Sequence, residues 1–301
     1  MSFKKIVLVI ILLILFVIGF WSWKFYRTNI GQVNILILGT GGENHTAGDL
    51  TDVMMVASVS PGRVNVISLP RDLWIPEIRA KINTAYHYGG IDLTKTSVEK
   101  VLDLPINHYV LLDFSGFTKI IDVLGGIEVQ VDNEFEDKLY PIAGRENDPC
   151  IACRYEVVEF KKGLQVMNGE TALKFVRSRH ATGDEGTDTA RSSRQQKVID
   201  AIKNKILSPK VILNPKQIQA LYKVFKNSVQ TDIDNKIGIT LVKEIFKARN
   251  NVLGYLIPES LLVNPPISKI YDKQYVFVPH LGNGKWEEIH EWVKSLPSQT
   301  Y

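Results

Sequence analysis

Cysteine is almost absent from this chain: Cys150 and Cys153 are the two it has, so no disulfide framework can hold the fold together. Charge of one sign is equally scarce. Lysines and arginines number 36 against 32 acids, a formal net charge of +4. That excess is too small to mark a nucleic-acid binder. Histidines are sparse, and no second cysteine pair exists to turn Cys150-Ile-Ala-Cys153 into a zinc site. Outside a membrane the pair is expected as a small local disulfide pinning a loop, with free thiols as the alternative. Internal repeats and low-complexity linkers are missing too. What remains, 45% hydrophobic and 23% charged residues over 301 positions, is ordinary globular composition and admits one large domain or two small ones.

No alanine occurs before Ala47, which bears on the amino terminus. Ile6 to Trp23 is a run of eighteen residues without a charge, fourteen of them Ile, Leu, Val or Phe. As a helix it reaches roughly 27 Å, enough for the hydrocarbon core. A cleaved signal peptide needs small residues at its cleavage site. This run ends instead in Trp21-Ser-Trp23, and no cysteine follows it for lipidation. The expectation is a cytoplasmic tail (1–5), an uncleaved single-pass transmembrane anchor in the cell membrane (6–23), a linker (24–32) and a body (33–301). Lys4 and Lys5 slightly outweigh Lys24 and Arg27, and a five-residue tail is too short for use, so the body is expected outside the cytoplasm.

Strands and helices then alternate. Val33 to Leu38 reads as a buried strand ending in Gly39-Thr-Gly-Gly42, and a second apolar run, Leu50 to Ala57, carries Asp52 near its start. Val64 to Leu69 is a third strand, stopped by Pro70 and followed by Arg71-Asp72. A helix from Lys81 ends at Gly89-Gly90, and another covers Thr94 to Leu104. His108 to Phe114 is a strand, Ser115 a candidate N-cap for a helix over Gly116 to Leu124, and Ile127 to Val131 an alternating strand. Residues 132–160 show no clear period. Amphipathic helices are expected over Gln217 to Val229 and Ile237 to Lys247, a late strand over Tyr275 to Val278, and a closing helix over Trp286 to Val293. The pattern is α/β with a central sheet, and residues 208–301 read as covering structure.

Most of the chemistry falls in one stretch. Arg177, Arg179, His180, Arg191 and Arg194 lie within eighteen residues, on either side of a polar segment with two glycines. Helical spacing of apolar residues before and after it predicts helix, loop, helix, with arginines at both lips. Arg191, Arg194 and Gln195 share one helix face by spacing. Arginine's planar fork suits phosphate or pyrophosphate. Asp184, Glu185 and Asp188 nearly cancel the charge, so a solvated, salt-bridged loop is the competing reading. Asp52 at a strand edge is open to the same choice, between a structural carboxylate and a metal ligand.

Several separated motifs resemble the LytR-CpsA-Psr family of bacterial cell-envelope proteins. They are Asn34-Ile-Leu-Ile-Leu-Gly39, Thr51-Asp-Val-Met-Met55, Ser68-Leu-Pro-Arg-Asp72, Lys81-Ile-Asn-Thr-Ala-Tyr-His-Tyr-Gly-Gly90, Asp122-Val-Leu-Gly-Gly-Ile127, Asn168-Gly-Glu-Thr-Ala-Leu173, Arg177-Ser-Arg-His180 and Arg191-Ser-Ser-Arg-Gln-Gln196. The resemblance covers 34–207, with weaker agreement beyond. It implies a single α/β/α sandwich with a central mixed sheet, and a phosphotransferase moving a glycopolymer from a polyprenyl-pyrophosphate carrier to peptidoglycan. By motif, Asp52 would bind Mg2+ or Mn2+. Arg71, Arg177, Arg179, Arg191, Arg194 and Gln195 would hold the pyrophosphate, and Lys81, Asn83 and Tyr86 would shape the same cleft. Two positions depart from the family pattern: Gly41 stands where a second metal-binding Asp is usual, and Leu50 where an Arg is usual. Asp49 is the first choice to compensate, ahead of Glu43 and His45, because magnesium prefers oxygen ligands. The departures keep two other readings open: a non-catalytic, membrane-anchored binder of pyrophosphate lipids or wall polymers, and a hydrolase of the same lipid-linked substrates.

Overall fold

A computed structural model describes residues 31–42, 48–181 and 183–297. The apolar run Ile6 to Trp23, and Glu43 and His45, lie outside the described residues. Among the described residues no helix is long and apolar enough to cross a membrane.

Six strands form the central sheet. Four follow the first strand signals closely: β1 (Val33–Thr40), β2 (Thr51–Ser60), β3 (Arg63–Ser68) and, after β4 (Trp74–Ile75) and β5 (Ala80–Lys81), β6 (His108–Asp113). The edges come from late in the chain, β11 (Val229–Thr231) beside β6 and β12 (Val252–Leu256) beside β3. Pairing is mixed: β1 runs parallel to β6 and β3 to β12, whereas β1–β2, β2–β3 and β6–β11 are antiparallel. Residues 208–301 therefore do more than cover the core, since they supply both edge strands.

Period-2 alternation gives the sheet two apolar faces. Leu36, Leu38, Met54, Val56 and Ile67 point one way, onto Val98, Val101 and Leu102 of helix α1 (Ala85–Leu102) and onto Ile289 and Val293 of a closing helix. Ile35, Met55, Ala57, Val64 and Val66 point the other way, toward Leu241 and Ala248. This is the mixed α/β layering expected from the sequence. The break anticipated at Gly89-Gly90 exists as a kink inside α1, where both glycines leave helical geometry.

A second cluster of buried residues lies beside the sheet. Helices α2 (Phe114–Val123), α3 (Gly169–Arg177) and α4 (Asp188–Ile206) pack there with β7 (Ile127–Val131), paired to β10 (Gly163–Met167), and with the hairpin of β8 (Phe135–Pro141) and β9 (Tyr155–Phe160). Phe135, Phe160 and Phe175 stack at its centre, with ring centroids 5.0 to 5.9 Å apart. No clear period in the sequence marks this hairpin. Two corrections are local. Asp113, not Ser115, caps α2, accepting a 2.6 Å bond from the Gly116 amide. The late strand expected over Tyr275 to Val278 begins only at Val278 and runs to Pro279, paired with Leu262–Val263. Cys150 and Cys153 are joined as a disulfide just before β9.

Candidate functional site

β1 and β6 end together at one rim, with Thr40 opposite Asp113, and β2 starts there with Thr40 opposite Thr51. Carboxyl ends of parallel strands are where open α/β sheets bind ligands. Asp52, next to Thr51, is therefore held at that rim by the sheet itself. β3 returns antiparallel, pairing Ser68 with Met55, and the Leu69 amide bonds the Met54 carbonyl at 2.9 Å. Carrying the register on by three residues sets Arg71 opposite Asp52. Their side chains meet: Arg71 Nη1 donates to Asp52 Oδ1 at 2.5 Å, and Arg179 Nη2 reaches the same oxygen at 3.4 Å. Oδ2 of Asp52 has no hydrogen-bond partner among the described residues. Burial pushes the Asp52 pKa up, but Arg179, Arg71 and, less strongly, Arg177 outweigh it and hold the carboxyl below its ordinary value.

The segment after Arg71 folds back through the short β4–β5 pair, so that the Asn83 amide bonds the Arg71 carbonyl at 3.3 Å. Lys81 Nζ donates to Asp72 Oδ1 at 2.7 Å. Asp72 is itself buried and lies 3.4 Å from Arg71 Nε. Thr51 Oγ1 donates to the Asn83 carbonyl at 3.1 Å, which ties β2 to this segment. Among the described residues, the buried side-chain oxygen of Asn83 has no hydrogen-bond partner. Tyr86, in the first turn of α1, packs half-buried on the core. Lys81, through Asp72, and Asn83 thus support Arg71 and Asp52 from behind.

The arginine loop has the predicted helix–loop–helix form. Ala172 and Phe175 anchor α3 in the second cluster, and Arg177 lies in its last turn. The Arg177 guanidinium lies 4.2 Å over the Phe114 ring and donates to the Tyr140 hydroxyl at 3.2 Å. Burial raises the Tyr140 pKa against the opposing pull of Arg177. Beyond the helix, the buried carboxylate of Asp137 accepts from the amides of Arg179 at 3.0 Å and His180 at 3.2 Å. Asp137 fixes the direction in which Arg179 leaves the turn. Nothing in the sequence marked it, because it sits in the unpatterned stretch.

The chain then reaches α4, whose N-cap is Thr187. Gly186 comes so close to the backbone of Ala181 that an added Cβ would lie 2.4 Å from its carbonyl oxygen. Arg71, Arg179, Gly186, Thr187 and Arg191 line one cleft of about 310 Å³. Three arginines and the amino end of a nineteen-residue helix thus face one space. Helix N-termini carry unsatisfied amides and positive partial charge, a setting for anions.

Arg194 is elsewhere. It is buried below the loop, where Nε donates to the Phe175 carbonyl, Nη2 to the Ser178 carbonyl, and Nη1 to both the carbonyl and carboxylate of Glu185, all between 2.7 and 3.0 Å. Burial draws its pKa down while Glu185 draws it up. Its donors are committed to the chain, so it braces the loop from beneath while Arg191 lines the cleft. Gln195 is half-buried on the same helix.

For a divalent cation, the available oxygen is Oδ2 of Asp52, a single rigid carboxylate oxygen at the rim. Magnesium commonly takes one or two carboxylates together with phosphate oxygens and water, so the residues fit a one-carboxylate site. Asp49 is turned toward His87, with its Oδ2 2.5 Å from the ring Nδ1. That bond is the main reason its pKa is lowered.

A family model described as LytR_cpsA_psr matches residues 22–280. The polyisoprenyl-teichoic acid–peptidoglycan teichoic acid transferase TagV of Bacillus subtilis is 28% identical over 273 residues, covering 79% of this chain and 66% of that protein. TagU of Enterococcus faecalis, which carries the same description, is 29% identical over 244 residues, covering 75% and 74%. Among solved structures, B. subtilis TagV aligns with a TM-score of 0.64 at 26% identity, over 89% of this chain and 97% of that one. A structure of TagT bound to LI-WTA shares the fold, with a TM-score of 0.60 at 21% identity over 88% and 90%.

Proposed function

The chain belongs to the LytR_cpsA_psr family, and we propose that it transfers an anionic glycopolymer from a polyprenyl-pyrophosphate carrier to peptidoglycan. One observation carries this reading: Arg71, Arg179, Arg191 and the amino end of α4 surround a single cleft beside the ionised Asp52. Phosphoryl transfer asks a protein mainly for positioning and for neutralisation of charge. An arginine-lined cleft supplies both. The names of the curated relatives, teichoic acid transferases, support the substrate class.

In this reading the pyrophosphate lies between Arg71, Arg179 and Arg191, with the Gly186–Thr187 backbone at its other side. An acceptor hydroxyl oxygen attacks the phosphorus nearer the sugar. The new O–P bond forms as the bridging P–O bond breaks, polyprenyl phosphate leaves, and the hydroxyl proton passes to solvent. Arg177, stacked on Phe114, adds positive charge behind the cleft, and Arg194 positions the loop from below. A bound magnesium or manganese ion would neutralise further charge on the phosphate oxygens. Asp52 would hold it through Oδ2. Lys81, Asn83 and Asp137 position the arginines. The sequence run Ile6 to Trp23 supports an anchored protein whose body works at the outer face of the cell membrane.

Acceptor dependence tests the reading. With a polyprenyl-pyrophosphate glycan as donor, polyprenyl phosphate should appear only when peptidoglycan is added, together with a glycan–peptidoglycan adduct. Release without acceptor would make the protein a hydrolase. Tight donor binding with no product under any metal condition would make it a binder.

A further inference from the structure

From Ala201 to Thr231 the chain carries six lysines and no arginine, aspartate or glutamate. This segment spans the end of α4, the single turn α5 (Pro209–Ile212) and helix α6 (Pro215–Ser228). Lys203 is paired with Asp200. Lys210, Lys216, Lys223 and Lys226 are exposed and make no ion pair among the described residues.

One side of α6 is used internally. Gln217 Nε2 donates to the Val123 carbonyl at 3.0 Å, and Leu221 and Val224 are half-buried. At the other end Ser228 approaches Gly116 so closely that an added Cβ there would lie 2.8 Å from the Ser228 Cβ. The remaining surface of α6 has two stripes. Ile218, Tyr222 and Phe225, at helical spacing, are exposed, Tyr222 at 53%. Lys216, Lys223 and Lys226 flank them. Just before the helix, Leu213 is 80% exposed beside the exposed Ile212. A helix with an exposed apolar stripe bordered by lysines has the composition of an interfacial membrane helix.

We propose that Ile212, Leu213 and the exposed side of α6 dock on the anionic lipid surface of a bilayer, with the apolar side chains entering the headgroup region and the lysines facing its phosphates. Charge complementarity selects the partner. A soluble polyanion would satisfy the lysines but leave Leu213, Ile218 and Tyr222 in water, whereas an anionic bilayer takes both. The inference rests on the transferase reading to the extent that a lipid-linked donor must be met in the membrane. Docking would hold the cleft at a fixed height over the leaflet in which that donor diffuses.

The test uses the full-length chain, with Cys150 and Cys153 oxidised and an environment-sensitive fluorophore on Gln219→Cys, in phosphatidylcholine vesicles with or without phosphatidylglycerol. A label on Thr96→Cys, in α1 on the opposite side of the sheet, is the control. The α6 label should shift to the blue and become shielded from an aqueous quencher when phosphatidylglycerol is present, while the control stays unchanged. Each of Lys216→Gln, Lys223→Gln and Lys226→Gln should lower the ratio of docked to undocked protein by about fivefold. An α6 signal indifferent to phosphatidylglycerol, an equal shift at the control, or the same shift from soluble poly(glycerol phosphate) without lipid would overturn the proposal. Transfer assayed in detergent separates the two readings. Lost docking with transfer intact overturns docking alone, and docking without transfer in the unsubstituted protein overturns the transferase reading alone.

Discussion

Arg71 and Asp52 face each other because the β2–β3 register, carried past the end of the sheet, sets them opposite. Their side chains meet at 2.5 Å from Nη1 to Oδ1. Arg179 arrives at the same oxygen from a loop more than a hundred residues later. One carboxylate thus orders two guanidiniums and, among the described residues, keeps its second oxygen clear. Exchanging it for an amide keeps the shape but removes the charge. Asp52→Asn should lower the melting temperature slightly, through the lost ion pairs with Arg71 and Arg179, and lower transfer by about two to three orders of magnitude. Calorimetry beside a transfer assay titrated with magnesium separates this from simple unfolding.

Arg191 and Arg194 should fail in different ways. Arg194→Ala strands the Glu185 carboxylate and the Phe175 and Ser178 carbonyls, so stability should fall by about 3–5 kcal/mol, the scale for breaking a buried charge pair. Arg191→Ala should move the unfolding curve less than Arg194→Ala does, but weaken pyrophosphate-lipid binding by about 1.5–3 kcal/mol. Urea unfolding and lipid titration on both variants check the split.

That split marks where the sequence stopped being legible. Spacing put Arg191 and Arg194 on one helix face, correctly, but could not show that the backbone of α3 waits under the second of them. Those acceptors come from a different helix. Strands with clean alternation or apolar runs, such as Ile127 to Val131 and Val33 to Leu38 (apolar but for Asn34), were readable. The β8–β9 hairpin was not, because a register shift between Asp137 and Tyr140 breaks the two-residue period. With it went Asp137, whose role depends on that bulged strand reaching Arg179 and His180. The Asp49–His87 contact was invisible for a related reason: it joins a loop to the first turn of α1 across 38 positions.

Asp137→Ala should lower activity by freeing the Arg179–His180 turn while leaving the cleft's charges in place. The donor's binding constant should weaken and the opening rate of the Arg179 and His180 amides should rise. Hydrogen exchange at those two amides is the direct readout. Unchanged protection would remove Asp137 from the positioning role.

Acid should disturb the site late. The folded-state pKa of Asp52 lies below its ordinary value, so its charge is fully present above the usual aspartate range and is lost only as pH falls through the depressed value. Lowering the pH from about 7 to about 5, still above that range, should leave pyrophosphate-lipid binding unchanged as far as this group is concerned. A titration that follows binding of the donor over that interval, in the native protein and in Asp52→Asn, provides the check.

Gly186 should tolerate no side chain. Gly186→Ala brings a methyl group onto the Ala181 carbonyl, and the loop must shift away from the cleft to admit it. Transfer should drop while α4 and the sheet stay folded, as judged by circular dichroism and melting temperature.

The central claim, that the arginine-lined cleft holds a pyrophosphate, is tested most directly by a crystal structure of the protein with a short-chain prenyl pyrophosphate and magnesium. Phosphate oxygens should lie within hydrogen-bonding distance of Arg71, Arg179 and Arg191, against the amino end of α4, with any metal on Asp52 Oδ2. A pyrophosphate bound elsewhere on the molecule, with these three arginines making no contact to it, would contradict the claim.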